Sequence, residues 1–249
     1  MDASPLLRMN RISKNFGAVR ALIDIDFQVD RHEVVALVGD NAAGKSTLAR
    51  IIAGVYQPDA GTIRLDGKPV VFSRSAVAQA HGVATVFQGL ALADNLDVTA
   101  NIFLGREIRE NGLLAEEKME SLARGYLDRL NARIPSPRTP VAQLSGGQRQ
   151  CVAIARTLVG DPRLVVLDEP TASLSVAQTA EVLNHIQGLR SLGLGVVLIS
   201  HSLTDVRAVA DRIEVLRHGR LNGSFSAPHD AYEEIIAAIT GATTVRARA

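Results

Sequence analysis

The chain has 249 residues, of which 47% are hydrophobic and 21% charged, with a net charge of +1 at pH 7. That length accommodates one substantial domain, or two lobes sharing a core. The near-neutral balance excludes recruitment to nucleic acid or to an anionic membrane by bulk charge alone. The single cysteine, Cys151, excludes an intramolecular disulfide and suits a reducing compartment. It lies within a helical pattern, where buried packing is its expected role. Met1 to Pro5 has neither a basic region nor a long apolar core, so no secretory signal is expected. The apolar runs fall short of the ~20 residues that a membrane helix needs, so any work at a membrane would go through a partner.

Leu6 to Lys14 reads as an edge strand. Phe16 follows, either as a core aromatic or as a platform for an adenine ring. Ile23, Ile25, Phe27 and Val29 alternate with Asp24, Asp26, Gln28 and Asp30, which predicts a strand with one wet face. Adjacent strands here suggest an antiparallel portion ahead of a parallel core.

Val34 to Val38 is a continuous apolar run and predicts a buried strand. Gly39-x4-Gly44-Lys45-Ser46 follows it, and Thr47 to Gly54 reads as a helix. This is the P-loop pattern: strand, glycine-rich turn, helix. The turn (Gly39, Asp40, Asn41, Ala42, Ala43, Gly44) lets backbone N–H groups approach phosphate oxygens. The helix start adds unpaired donors and partial positive charge. Lys45 supplies a full charge at the β/γ-phosphates, and the Ser46 hydroxyl is placed for Mg²⁺, with Thr47 beside it.

Thr62 to Leu65 and Lys68 to Phe72 flank Asp66-Gly67 and predict a hairpin with a type I′ turn. A short helix is expected over 75–81 and a second buried strand over 83–87, ending at Gln88-Gly89. From about 95 to 160 the pattern turns helical. Met119, Leu122, Ala123, Tyr126, Leu127 and Leu130 form one apolar stripe suited to core packing. Pro135, Pro137 and Pro140 stiffen a linker.

Ser145 and Gln148, in Leu144-Ser145-Gly146-Gly147-Gln148, form a capping-box pattern that opens a helix to Leu158. Glycines beside a helix start make this a second potential phosphate contact, although most capped helices simply begin there. Arg163 to Glu169 reads as a third buried strand, ending in the two carboxylates Asp168-Glu169. In a P-loop protein such a carboxylate completes the Mg²⁺ site, which assigns Asp168 to the metal. Glu169 lies where it could orient or deprotonate a water. Ser175 is expected to cap a helix to about Arg190. A fourth buried strand over 195–200 ends at His201. Gly39, Gln88, Asp168 and His201 all stand at carboxyl ends of strands, where open parallel sheets bind ligands. His201 is therefore assigned a contact to the γ-phosphate. A closing hairpin (213–217 and 220–225), a helix (232–239) and a tail (243–249) complete the reading.

These residues resemble the ATP-binding subunit of an ABC transporter over about residues 7 to 241. The P-loop, Gln88, Leu144 to Gln148, Asp168-Glu169 and His201 look like that family's Walker A, Q-loop, signature, Walker B and switch histidine, in order and spacing. Val38 to Asn41 and Ala91 to Glu107 look more narrowly like monosaccharide importers of the ribose, xylose and fructose type.

The resemblance implies an α/β fold: a P-loop NTPase core with a mainly parallel sheet, an N-terminal antiparallel β-subdomain and an inserted α-helical subdomain. It implies one domain over 6–242, with the helical insertion at about 95–160. Two cassettes would close head to tail on two ATP molecules with Mg²⁺. Lys45, Ser46 and the rest of the loop from one chain would face Ser145, Gly146, Gly147 and Gln148 of the other. Phe16 would stack on adenine. Mg²⁺ would be held by Ser46, Gln88 and Asp168. Glu169 would be the general base, with His201, Gln88 and Lys45 completing the catalytic set.

The implied partners are a membrane permease, a periplasmic or extracellular sugar-binding protein reached through it, and a second copy of the chain, with no nucleic acid. The implied location is peripheral, on the cytoplasmic face of the cell membrane. The competing readings are a soluble non-transport ABC ATPase and a non-hydrolysing module that uses ATP only to dimerise. Three residues depart from the family pattern: Ala42 where glycine is usual, Gly89 where an acidic residue is usual, and Ser175 in place of the D-loop aspartate. The sugar itself is not readable from this chain.

Overall fold

The computed structural model describes residues 4–227, 229–230 and 232–242. The expected tail over 243–249 lies outside the described residues. Twelve strands and eight helices follow in this order among them. They are β1 (Leu7–Phe16), β2 (Val19–Val29), β3 (Val34–Val38), α1 (Lys45–Ile52), β4 (Ala60–Leu65), β5 (Lys68–Val70), α2 (Ser75–Ala80) and β6 (Val83–Val86). Next come α3 (Val98–Phe103), β7 (Arg109–Glu110), β8 (Leu113–Leu114), α4 (Glu116–Arg129) and α5 (Gly146–Thr157). The chain then forms β9 (Leu164–Asp168), α6 (Val176–Ser191), β10 (Gly195–Ile199), α7 (Leu203–Val209), β11 (Arg212–Arg217), β12 (Arg220–Ser226) and α8 (Tyr232–Thr240).

The central sheet has the order β12-β11-β3-β10-β9-β6. Its strands run parallel from β11 to β6, with β12 antiparallel at one edge. β3, β9 and β10 are buried at every position, which is why they read as unbroken apolar runs and not as alternating ones. Val35 and Leu37 of β3 pack with Leu48 and Ile51 of α1 and with β1 and β2. Val34, Ala36 and Val38 point the other way, into the core shared with α3, α4, α5, α6 and α8. One strand thus joins both halves of the hydrophobic core.

The second sheet, β2-β1-β4-β5, is antiparallel. β1 is interior to it, between β2 and β4, and is not the edge strand that its short alternation suggested. The chain returns after α1 and pairs β4 against its open side. The alternation expected from Ile23 also fails at its first member. Asp24 sits at φ 51° where the register shifts, so Leu22 is buried in place of Ile23. The hairpin turn has both central residues at positive φ, Asp66 at 50° and Gly67 at 73°, as a type I′ turn requires.

The helical insertion carries one unexpected feature, the two-stranded ribbon β7-β8. Each strand has only two residues, too few for an alternation to register. The stripe on α4 buries Met119, Ala123, Leu127 and Leu130, whereas Leu122 is exposed. Ser145 and Ser175 close complete capping boxes with Gln148 and Gln178. Caps of this kind stabilise a helix by ~1 kcal/mol each. Cys151 is buried, and that burial pushes its thiol up to about 12.

Candidate functional site

The P-loop leaves β3 at Gly39, whose φ is 143°. A Cβ there would stand 2.0 Å from the Leu216 carbonyl oxygen, so only glycine fits against β11. Gly44, at φ 109°, occupies the N-cap, and α1 therefore opens at Lys45, two residues earlier than expected. Lys45 folds back over the loop and its Nζ donates to the carbonyls of Gly39 (2.8 Å) and Asp40 (2.9 Å). Burial lowers the Lys45 pKa, while Glu169, Asp40 and Asp168 pull it back up.

An open cleft of about 710 Å³ brings Asn41 to Thr47 together with Gln88, Glu169 and His201. Four separate strand ends supply these groups, as expected. Val19, Arg20, Ala21, His218 and Gly219 also line the cleft. No sequence motif marked them, because they come from β2 and from the turn between β11 and β12. That turn is tied to the loop: Gly219 N–H donates to Ala43 O (3.0 Å) and Ile23 N–H donates to Gly219 O (2.7 Å).

Ile199 and Asp168 are partners across β10 and β9. Glu169 N–H extends this pairing by donating to Ile199 O at 2.9 Å. Glu169 itself adopts φ 54°, which turns its side chain out of strand alternation. Its Oε1 lies 2.5 Å from His201 Nε2. Asp168 is buried, and its pKa is raised by that burial and by the neighbouring Glu169 charge, against opposing pulls from Arg50, Lys45 and His201. It makes no ion pair or hydrogen bond through its side chain among the described residues. A buried carboxylate held up in this way is chemically suited to a hard cation. The Ser46 hydroxyl and the Gln88 amide oxygen are donors of the same class. No group of three or more His, Cys, Asp or Glu side chains that could hold a metal occurs among the described residues.

Phe16 is not in the core. It is 42% exposed at the tip of the β1–β2 hairpin, beside its pair Val19, which lines the cleft. Its ring meets Tyr56 edge-on at 5.2 Å, and Lys14 Nζ stands over it at 5.6 Å from the centroid. Ala42 has φ 62°, a conformation strained for any residue with a Cβ.

The signature residues lie elsewhere in the chain. Gly147 and Gln148 line a different groove, with Arg133, Cys151 and His185. Ser145 Oγ accepts from Gln148 N–H at 3.3 Å, and Gln148 Oε1 accepts from Ser145 N–H at 3.0 Å. Gln148 Nε2 donates to Arg133 O. A Cβ at Gly147 would stand 3.1 Å from Gln178 Cβ, so this glycine serves the close approach of α5 to α6. Within one chain these residues do not join the cleft.

A parallel sheet with a strand–loop–helix phosphate cradle, an antiparallel β-layer and a helical insertion defines the ATP-binding cassette class. A nucleotide-free cassette from an ABC transporter superposes with a TM-score of 0.81 at 25% identity, covering 95% of each chain. A second cassette, in its ADP conformation, gives 0.82 at 26% identity over the same share of each. The ABC transporter family profile matches residues 22–172. The chain belongs to the ABC transporter family.

Among curated relatives, the xylose/arabinose import ATP-binding protein XylG of Sulfolobus acidocaldarius is 43% identical, over 88% of this chain and 87% of its own length. The fructose import ATP-binding protein FrcA of Rhizobium meliloti is 40% identical, over 97% and 96%. The ribose import ATP-binding protein RbsA 1 of Rubrobacter xylanophilus is 43% identical, over 90% of this chain but 44% of its own length. Against relatives of that longer kind the chain spans about half their length.

Proposed function

We propose that this chain is the ATP-hydrolysing subunit of a monosaccharide importer, acting as a pair beneath a separate membrane permease. The observation that carries the reading is the convergence of Lys45, Ser46, Gln88, Glu169 and His201 on one cleft. The import relatives matched over nearly their whole length support the transport role and the sugar class. No helix among the described residues is long and apolar enough to cross a membrane. The permease would cross the membrane, with this chain peripheral on its cytoplasmic side.

The P-loop amides and Lys45 would bind the β- and γ-phosphates, with Lys45 exchanging its two carbonyl contacts for phosphate oxygens. Phe16, exposed beside the cleft, would stack on the adenine. Ser46, Gln88 and Asp168 would hold Mg²⁺, which supplies charge neutralisation at the β- and γ-oxygens. Glu169 would take the proton of the attacking water. His201 would stabilise the charge that develops on the transferring phosphoryl. Ser145 and Gly147 would reach the same nucleotide from the second copy, because within one chain they lie away from it.

The test is recovery from native membranes. A tagged chain carrying Glu169→Gln, solubilised with Mg-ATP, should bring down a polytopic membrane protein, and the wild-type complex should release phosphate faster when sugar and sugar-binding protein are present. Release unaffected by any sugar, with no membrane partner recovered, would favour a soluble ATPase. ATP-dependent dimers that release no phosphate, even beside a permease, would favour a dimerisation module.

A further inference from the structure

Glu169 and His201 are held opposite one another by a second link that no motif assigns. Two residues past Glu169, Thr171 Oγ1 donates to Asp205 Oδ2 at 2.8 Å. Asp205 lies four residues past His201, in the first turn of α7. Apart from the Glu169–His201 contact, this is the one side-chain hydrogen bond among the described residues between the segment following β9 (169–175) and the segment following β10 (200–209). The two chain segments therefore form a closed ring. Glu169 meets His201 at one side, Thr171 meets Asp205 at the other, and short stretches of backbone join them.

The ring has a physical purpose because Glu169 is strained. A non-glycine residue at φ 54° persists only where its surroundings over-determine it. Upstream, the constraint is the Glu169 N–H bond to Ile199 O; the Ala172 N–H bond to Glu169 O, at 3.2 Å, is local to the turn. Neither bond ties the chain beyond Glu169 to the His201 side. The Thr171 hydroxyl does so. The His201 side carries local hydrogen bonds of its own. Ser202 N–H donates to Ser200 Oγ, and Ser202 Oγ caps α7 through Asp205 N–H at 3.2 Å. The cap uses the backbone of Asp205, so its carboxylate is left for Thr171.

We infer that Thr171 and Asp205 are a positioning pair that fixes Glu169 against His201, and that they set the rate of hydrolysis without touching nucleotide. The inference deepens the ATPase reading and rests on it for its kinetic consequence.

Thr171→Val preserves shape and removes the donor. It should lower kcat about tenfold, in line with the loss of one partly buried hydrogen bond. ATP affinity should stay near wild type, because the P-loop is untouched, and the melting midpoint should fall by no more than about 5 °C. Thr171→Ser restores a hydroxyl and should recover most of the rate. Asp205→Ala should match Thr171→Val, and the double variant should be no slower than either single one. In parallel, amide exchange at Ala172 should quicken in Thr171→Val and return to the wild-type rate in Thr171→Ser. Full activity in Thr171→Val, equal loss in the valine and serine variants, or unchanged exchange would overturn the inference. Exchange is read without turnover. A wild-type chain that releases no phosphate would therefore count against the ATPase reading, and the exchange result would still decide the positioning role.

Discussion

His201 Nε2 lies 2.5 Å from Glu169 Oε1, across the ends of two neighbouring parallel strands. Each residue stands just past its strand, one on the Walker-type strand β9 and the other on β10. Parallel pairing of Asp168 with Ile199 brings the two ends level, and the positive φ of Glu169 aims its carboxylate at the imidazole. A carboxylate and an imidazole thus share one mouth of the cleft that holds Lys45 and Ser46.

Replacing Glu169 by glutamine keeps the size of the side chain and removes the base. Phosphate release should fall by about 10²- to 10⁴-fold, with ATP affinity within a few-fold of wild type. His201→Ala should also slow turnover while leaving nucleotide binding largely intact. Turnover unchanged in Glu169→Gln would remove the assigned base.

Phe16→Ala removes an exposed ring beside the cleft. Base–aromatic stacking contributes ~1–3 kcal/mol, so ATP binding should weaken roughly 5- to 150-fold in a fluorescent-nucleotide titration. Phe16→Trp should bind at least as well as wild type. Equal affinities in all three would make Phe16 a surface aromatic serving only its contacts with Tyr56 and Lys14.

Ala42 stands at φ 62°, where a Cβ costs ~1–2 kcal/mol. Glycine's extra freedom in the unfolded chain offsets about 0.5–1 kcal/mol of any gain from relieving it. Ala42→Gly should therefore raise the melting midpoint by about 1–3 °C, while the β-branched Ala42→Val should lower it. A glycine variant that melts earlier would show that the loop tolerates alanine without strain.

His185 is buried with Nδ1 2.7 Å from the Leu130 carbonyl, and burial holds its pKa below the ordinary 6.5. As pH falls through about 6.5 the unfolded chain takes up the proton before the folded one does, so stability drops with falling pH. Urea midpoints at pH 7 and pH 5 should differ more in wild type than in His185→Gln. Equal differences would rule out His185 as a source of the acid sensitivity.

The cleft was legible in sequence because each of its main groups follows a buried strand. Runs such as Leu164 to Leu167 and Val196 to Ile199 declare such strands without help from tertiary context. The capping boxes at Ser145 and Ser175 were legible for a similar reason, since donor and acceptor lie three residues apart. The interior position of β1 was not, because an alternating strand looks the same whether one or both of its edges are paired. Nor was the Asp24 bulge, a property of two strands in register and not of either alone. Arg20 and His218 escaped because they reach the cleft through a hairpin contact, Gly219 to Ala43, that spans most of the chain.

Ser145 and Gly147 lie outside the cleft formed by Lys45, Glu169 and His201, so the proposed ATP site would be completed by a second copy of this chain. The most direct measurement is light scattering of the Glu169→Gln protein with and without Mg-ATP. The mass should double on adding Mg-ATP, and the doubling should be lost when Ser145 is also replaced by arginine. A protein that binds ATP with undiminished affinity and remains a monomer would contradict the two-copy site.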